Sequence, residues 1–176
     1  MSARHLRVLA TLIACGCAAV VTSKSRFEPH ERVAVQLRGA DALELELPGG
    51  ELDARALEER FAAAITRELG RRRSIAPNSA RADAVLAIRL SRIALQGRPG
   101  EQAALRITAA ARVETGGEDP GKARGPWHAS EYESPAQPRA AWGDANAPTL
   151  DAALTTGLNA IADEIVRRSI RARQPE

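Results

Sequence analysis

The chain predicts an α+β fold: a single mostly antiparallel sheet of four or five strands with two helices packed on one face. Three observations lead to that class. Apolar and polar residues alternate, the mark of a half-buried strand, over residues 33–37, 43–47, 86–95 and 105–113. Apolar residues recur at helical spacing over 57–69 and again over 150–165. Turn residues separate these stretches at Pro48-Gly49-Gly50, at Gly97-Arg98-Pro99-Gly100 and through 116–126. The order is β-α-β-β-β-α, and packing both apolar helix stripes on one face of one sheet is the economical way to bury them.

The first element is a pair of alternating runs. Val33, Val35 and Leu37 share one face, and Leu43, Leu45 and Leu47 do the same with Glu44 and Glu46 opposite. The Gly39-Ala40-Asp41 stretch either turns between two strands or marks the bend in a single one. Pro48-Gly49-Gly50 ends this region, and Asp53 is placed to cap a helix running to Leu69, because its carboxylate can accept a first-turn N–H. Leu57, Phe61, Ile65 and Leu69 form the stripe of that helix, and Gly70 stops it. Arg71, Arg72 and Arg73 follow where cations complement the helix dipole. Those arginines and the basic run at 167–173 could also touch anionic headgroups, but helix-end electrostatics and solubility already account for them.

Residues 82–96 read as a long strand with Leu86, Ile88 and Leu90 on one face. The alternation then changes phase to Ile93 and Leu95, which predicts a bulge at Ser91 and Arg92. After the turn at 97–100, Leu105, Ile107, Ala109, Ala111 and Val113 alternate with Arg106, Thr108, Arg112 and Glu114. The two runs make a hairpin with one buried face. The other face, carrying Arg89, Arg106, Arg112 and Glu114, is left for solvent or a partner. A Gly- and Pro-rich loop covers 116–126, a third strand 127–133, and an irregular stretch 134–148. Thr149 opens the last helix, with Leu150, Leu154, Leu158, Ile161 and Ile165 inward. With only two Trp, two Phe and one Tyr, the core must be filled by Ala, Leu, Val and Ile. Trp127 and Trp142 are expected to pack in that core. Trp142 is the better interface candidate of the two, because its surroundings are loop-like.

Few residues offer chemistry. GGEDPGKA at 116–123 nearly spells a phosphate-binding loop, but Ala123 lacks the magnesium-binding hydroxyl. Arg124-Gly125-Pro126 also stands where a helix N-terminus would have to begin, so no nucleotide is expected. His128 with Glu131 and Glu133 could form a metal or acid–base group, yet a strand sends positions 128 and 131 to opposite faces. Nucleophile and zinc-hydrolase motifs are missing from the sequence. The expectation is a non-enzymatic protein with no catalytic residue, no cofactor and no metal.

The N-terminus carries the most specific pattern. Arg4, His5 and Arg7 precede an apolar run from Val8 to Ala14 that stops at a cysteine, the anatomy of an export signal. Leu12-Ile13-Ala14-Cys15 resembles the lipobox of bacterial lipoproteins. The resemblance implies cleavage before Cys15 and thioether attachment of diacylglycerol to it, often with acylation of the new amino group. The alternatives are a signal cut after Ala18 or Ala19, or a signal anchor, although about fifteen apolar residues fall short of the roughly 20 that span a bilayer. Cys17 would put Ala14 where the motif wants leucine and is read as passive. Gly16 is not the aspartate that retains lipoproteins at an inner membrane, so the outer membrane is expected, with the domain facing the periplasm. The chain then divides into a signal peptide (1–14), a lipidated anchor and flexible tether (15–31) and one α+β domain (32–173). Loss of Arg4 and Arg7 leaves 23 basic against 22 acidic residues, which gives no case for nucleic-acid binding. Both cysteines sit at the anchor, so no disulfide supports the fold.

The order of elements behind the lipobox, over residues 43–170, is similar to that of several small envelope lipoproteins. These include the lipopolysaccharide-assembly lipoprotein, the auxiliary lipoproteins of lipid-transporting ABC systems and, more loosely, the lipoprotein activators of penicillin-binding proteins. The resemblance implies an adaptor or assembly factor. It would be held to the bilayer through acylated Cys15 and present its sheet edge or open face to another envelope protein. A periplasmic lipid- or glycan-binding module, localised by the same anchor, is the alternative. An adaptor should expose a patch around the sheet edge, whereas a carrier needs a concave apolar pocket.

Overall fold

The computed structural model describes residues 26–39, 42–47, 52–97, 101–143 and 148–170. The elements are β1 (Val33–Leu37), β2 (Glu44–Glu46), α1 (Ala54–Gly70), β3 (Ala84–Gln96), β4 (Gln102–Thr115), β5 (His128–Glu133), β6 (Gln137–Pro138) and α2 (Pro148–Ser169). Short 3-10 turns lie at Ser79–Arg81 and Arg139–Trp142. The class is the expected α+β, with helices packed against one sheet. That sheet has six strands and is mixed: β1, β3, β4 and β5 lie side by side, while β2 also pairs with β3 and β6 with β4.

The long β3–β4 hairpin is the spine. Its antiparallel register runs from Ala84↔Thr115 to Gln96↔Ala104 and shifts between Leu90 and Arg92, where the alternation changes phase. The tip at 98–100 lies outside the described residues. On the other side of β3 the pairing is parallel, Val33↔Ala84 to Leu37↔Ile88 for β1 and Glu44↔Arg92 to Glu46↔Ala94 for β2. The two alternating runs are therefore halves of one interrupted edge strand and do not form a hairpin. Alternation is blind to this, because it is the same for parallel and antiparallel neighbours; the α1 crossover between the edge and β3 sets the direction.

The helix boundaries follow local chemistry. The Asp53 carboxylate accepts the Arg55 N–H at 2.9 Å, and Leu57, Phe61, Ala64, Ile65 and Leu69 are buried below it. In α2, Leu150, Leu154, Leu158, Ile161, Ala162, Ile165 and Val166 face the sheet. The helices run parallel, laced by Arg60 to Asp151 (2.8 Å) and Thr155 (2.7 Å), Arg67 to Asn159 (2.6 Å) and Arg72 to Asp163 (2.8 Å). Arg71 and Arg72 also reach back to Glu68, so this part of the basic run serves helix ends and helix pairing. Such exposed pairs contribute about 0–1 kcal/mol each and mainly set orientation; apolar burial supplies the stability.

Two regions expected to be irregular are packed. Residues 134–143 contain β6 and the 3-10 turn, and Trp142 is fully buried, with its indole N–H donating to the Ala103 carbonyl at 3.1 Å. Trp142 is thus a core residue and not an interface candidate; a buried indole is stable here because its polar edge is satisfied. Packing also begins before Val33. Phe27, in the expected tether, is fully buried, its N–H donates to the Ser169 carbonyl at 2.8 Å, and it bridges to Ile170. Cys15, Gly16, Cys17 and the rest of the expected signal lie outside the described residues. None of the described helices is long and apolar enough to cross a membrane.

Gly157 sits in the middle of α2, where alanine would ordinarily strengthen a helix by about 1 kcal/mol. A Cβ there would stand 2.6 Å from Ile107 Cδ1 and 2.6 Å from the Tyr132 ring. Overpacking should outweigh propensity, so Gly157→Ala is expected to destabilise by about 1–2 kcal/mol in urea denaturation.

A candidate cationic pocket beside the outer sheet face

The face of the sheet away from the helices carries Arg89, Arg106, Arg112 and Glu114, as the alternation requires. It is not wholly open. Ala34, Val85, Ala87, Ala110 and Glu114 are all buried on it. The stretch that resembles a phosphate-binding loop forms the cover: Thr115 N–H donates to Lys122 O (2.9 Å), Gly121 N–H to Thr115 O (3.0 Å) and Arg124 N–H to Val113 O (2.8 Å). Gly121 adopts φ +89°, and a Cβ there would lie 3.6 Å from Arg38 Nη2 and 3.9 Å from Glu114 Oε2. The loop is a roof over an ion cluster.

Glu114 is the centre of that cluster. Its side chain is 0% exposed, Arg38 Nη2 donates to Oε2 at 2.7 Å, and Arg112 Nε donates to Oε1 at 2.7 Å. Arg38 is positioned by continuing β1, its N–H bonded to Ile88 O at 2.9 Å. Burial pushes the Glu114 carboxyl up, but the hydrogen bonds and charges of Arg38 and Arg112 outweigh it and hold the pKa below the usual glutamate value. Trp127 is half-buried beside them, with the Arg112 guanidinium 4.7 Å and the Arg89 guanidinium 5.1 Å from its ring centroid. Arg89 Nε is buried without a hydrogen-bond partner.

Around the end of β4 from this cluster lies a pocket of about 360 Å³. Arg26, His128 and Arg168 bring basic groups to it, Ser130 and Ser169 are its hydroxyl residues, Ala111, Val113 and Ile165 supply its apolar wall, and Arg112, whose guanidinium lies on the outer face, borders it from β4. Glu164 pairs with Arg168 from one turn back on α2, and Arg168 Nη1 also donates to the Ala129 carbonyl at 3.2 Å. With two arginines and a histidine bringing basic groups to it and no carboxylate in its lining, the pocket suits an anion, and its volume lies at the small end of ligand sites.

The strand separates the group singled out from the sequence. His128 pairs with Ala111 and lines the pocket, whereas Glu131 stands opposite Thr108 and Glu133 opposite Arg106 on the outer face, where Glu133 and Arg106 pair at 3.1 Å. Among the described residues no three His, Cys, Asp or Glu side chains group as metal ligands would. The sequence pointed to neither Arg26 nor Arg168 as a pocket residue, because one falls in the expected tether and the other in a basic helix end. The solitary Phe27 beside Arg26 was the available signal.

The Glu114 cluster gives a pH prediction. A depressed carboxylate pKa contributes stability that is present above the ordinary value and lost as the pH falls through the folded-state value. Glu114→Gln should cost about 2–3 kcal/mol at neutral pH, less than for a fully buried pair because both arginines reach solvent. The variant should also lose less stability than the parent as the pH is lowered below 4.5 in urea titrations.

No protein-family model matches the chain, and no curated protein sequence matches it. Several solved structures are similar in the course of their chains. One is hypothetical protein CT253 from Chlamydia trachomatis, at 11% identity and a TM-score of 0.49, covering 78% of this chain and 95% of that one. Protein XCC0632 from Xanthomonas campestris is similar at 15% identity and a TM-score of 0.48, covering 77% and 81%. A minor lipoprotein from Acinetobacter baumannii is similar at 11% identity and a TM-score of 0.39, covering 79% and 91%.

Proposed function

We propose that the chain is a non-enzymatic envelope lipoprotein, held at the outer membrane by acylated Cys15 and acting as an adaptor or assembly factor for another envelope protein. The anchor rests on Leu12-Ile13-Ala14-Cys15 and on the basic and apolar segments before it. The observation that carries the adaptor reading is the sheet edge at β5, which ends the strand order and, among the described residues, has β4 as its only strand neighbour. An edge strand offers main-chain N–H and C=O groups to an extended segment of a partner. His128, Glu131 and Glu133 along it disfavour indiscriminate self-pairing. The second reading, a periplasmic lipid- or glycan-binding module, is favoured by the pocket, whose basic lining fits a headgroup better than an acyl chain. Nucleotide and nucleic acid are outside both readings, since the 116–123 loop opens no helix and the charge is nearly balanced.

Two measurements test this. Labelling with a palmitate analogue should be lost in Cys15→Ala; label that survives the substitution contradicts the anchor. Glu131→Pro should remove an edge N–H while leaving stability within about 1 kcal/mol, because proline is tolerated on edge strands. Recovery of the crosslinked envelope partner with the tagged lipoprotein should fall in that variant, and undiminished recovery contradicts the edge as the docking element.

A further inference from the structure

We infer that the pocket where Arg26, His128 and Arg168 converge is a phosphate site that takes the headgroup of an anionic lipid. The three basic side chains come from three separate segments: the stretch before β1, then β5 and α2. Their convergence is a product of the fold and not of a charged run. The carboxylate that pairs with one of them comes from outside the lining: Glu164 holds Arg168 from the preceding helical turn. The Arg168 guanidinium is thereby fixed in place with donors still to offer, which lowers the ordering cost of binding. Planar guanidinium forks match the oxygens of a phosphate.

One feature opposes an anion here, the C-terminal end of α2, whose carbonyls carry partial negative charge. Two of the last four are occupied: Phe27 N–H donates to Ser169 O at 2.8 Å and Ile170 N–H to Val166 O at 3.1 Å. Ser169 Oγ donates to Ile165 O at 2.8 Å. Against that partial charge stand the side chains of Arg26, Arg168 and His128. The source of the phosphate rests on the lipoprotein reading. Arg26 is eleven residues from Cys15, a contour of at most about 40 Å, so an acylated Cys15 holds this end of the domain within reach of the bilayer surface.

The test uses the full chain carrying Cys15→Ser, so that its outcome does not depend on acylation, and follows Trp127 emission against the constant background of buried Trp142. Phosphatidylcholine vesicles, vesicles with about one-third phosphatidylglycerol, and soluble glycerol 3-phosphate are titrated in parallel. The anionic vesicles should change the emission. Arg26→Gln and Arg168→Gln should each weaken the response about tenfold, the loss expected for one charge-assisted contact. Arg26 is exposed, so its replacement leaves the fold intact. Arg81→Gln, an exposed arginine outside the pocket, should leave the response unchanged. A response to phosphatidylglycerol vesicles alone supports a headgroup presented by the bilayer, and an equal response to glycerol 3-phosphate supports the phosphate site with a soluble ester as its ligand. Several results would overturn the inference: no response to either, an equal response to phosphatidylcholine, Arg26 and Arg168 variants that behave as the parent, or an Arg81 variant that is weakened as much as they are. Failure here with palmitate labelling intact removes the pocket and leaves the anchor; the converse removes the anchor alone.

Discussion

The pairing of β3 with β4 is the constraint from which the rest of the domain follows. These are the two longest strands, and every other strand lies along one of them: β1 and β2 on β3, β5 and β6 on β4. Their shared inner face, Leu86, Ile88, Leu90, Ile93 and Leu95 against Leu105, Ile107, Ala109, Ala111 and Val113, is the floor on which both helices pack. The bulge at Ser91–Arg92 keeps apolar residues inward on both sides of a long, twisted ribbon. With so few aromatics, close approach does the work that ring size does elsewhere. Gly157 lets α2 settle directly on Ile107 and Tyr132, and Trp142 closes the far end of the ribbon over Ala103.

The outer face is organised differently, by charge. A buried carboxylate is costly unless paired, and Glu114 is paired twice, with Arg38 from the parallel edge and Arg112 from its own strand. The cluster thus ties β1, β4 and the 115–127 loop together, and Gly121 allows the loop to lie directly upon it. Arg112 borders the pocket from β4 while its guanidinium stays with this cluster on the outer face.

Much of this could be read from the sequence where the signal is local. The Asp53 cap, the stop at Gly70, the phase change at 91–92 and the stripes of both helices each depend on neighbours within a few residues. The parallel edge could not be read, because Val33, Val35 and Leu37 alternate identically whichever way their neighbour runs. Loop chemistry at 116–126 identified a loop but not its destination over Glu114. Phe27 and Trp142 stand alone in stretches without a period, so nothing nearby revealed that they are buried. The pocket was least visible of all: Arg26, His128 and Arg168 are scattered along the chain and meet only when α2 returns beside β5 and Phe27 bonds to its last turn.

Under the proposed lipid anchor, that same bond gives the domain an orientation. Phe27 fixes the start of the packed region to the end of α2, and the pocket lies there, eleven residues from Cys15, while β2 and the first turn of α1 lie on other parts of the ribbon. The account therefore has one end of the domain facing the bilayer. Hydrogen exchange of the acylated chain on anionic vesicles, compared with the Cys15→Ser chain in solution, tests this most directly. Added protection is predicted at residues 26–30, 128–130 and 165–170, with β2 and the start of α1 unchanged. Added protection confined to β2 and α1, with the pocket residues exchanging as they do in solution, would contradict it.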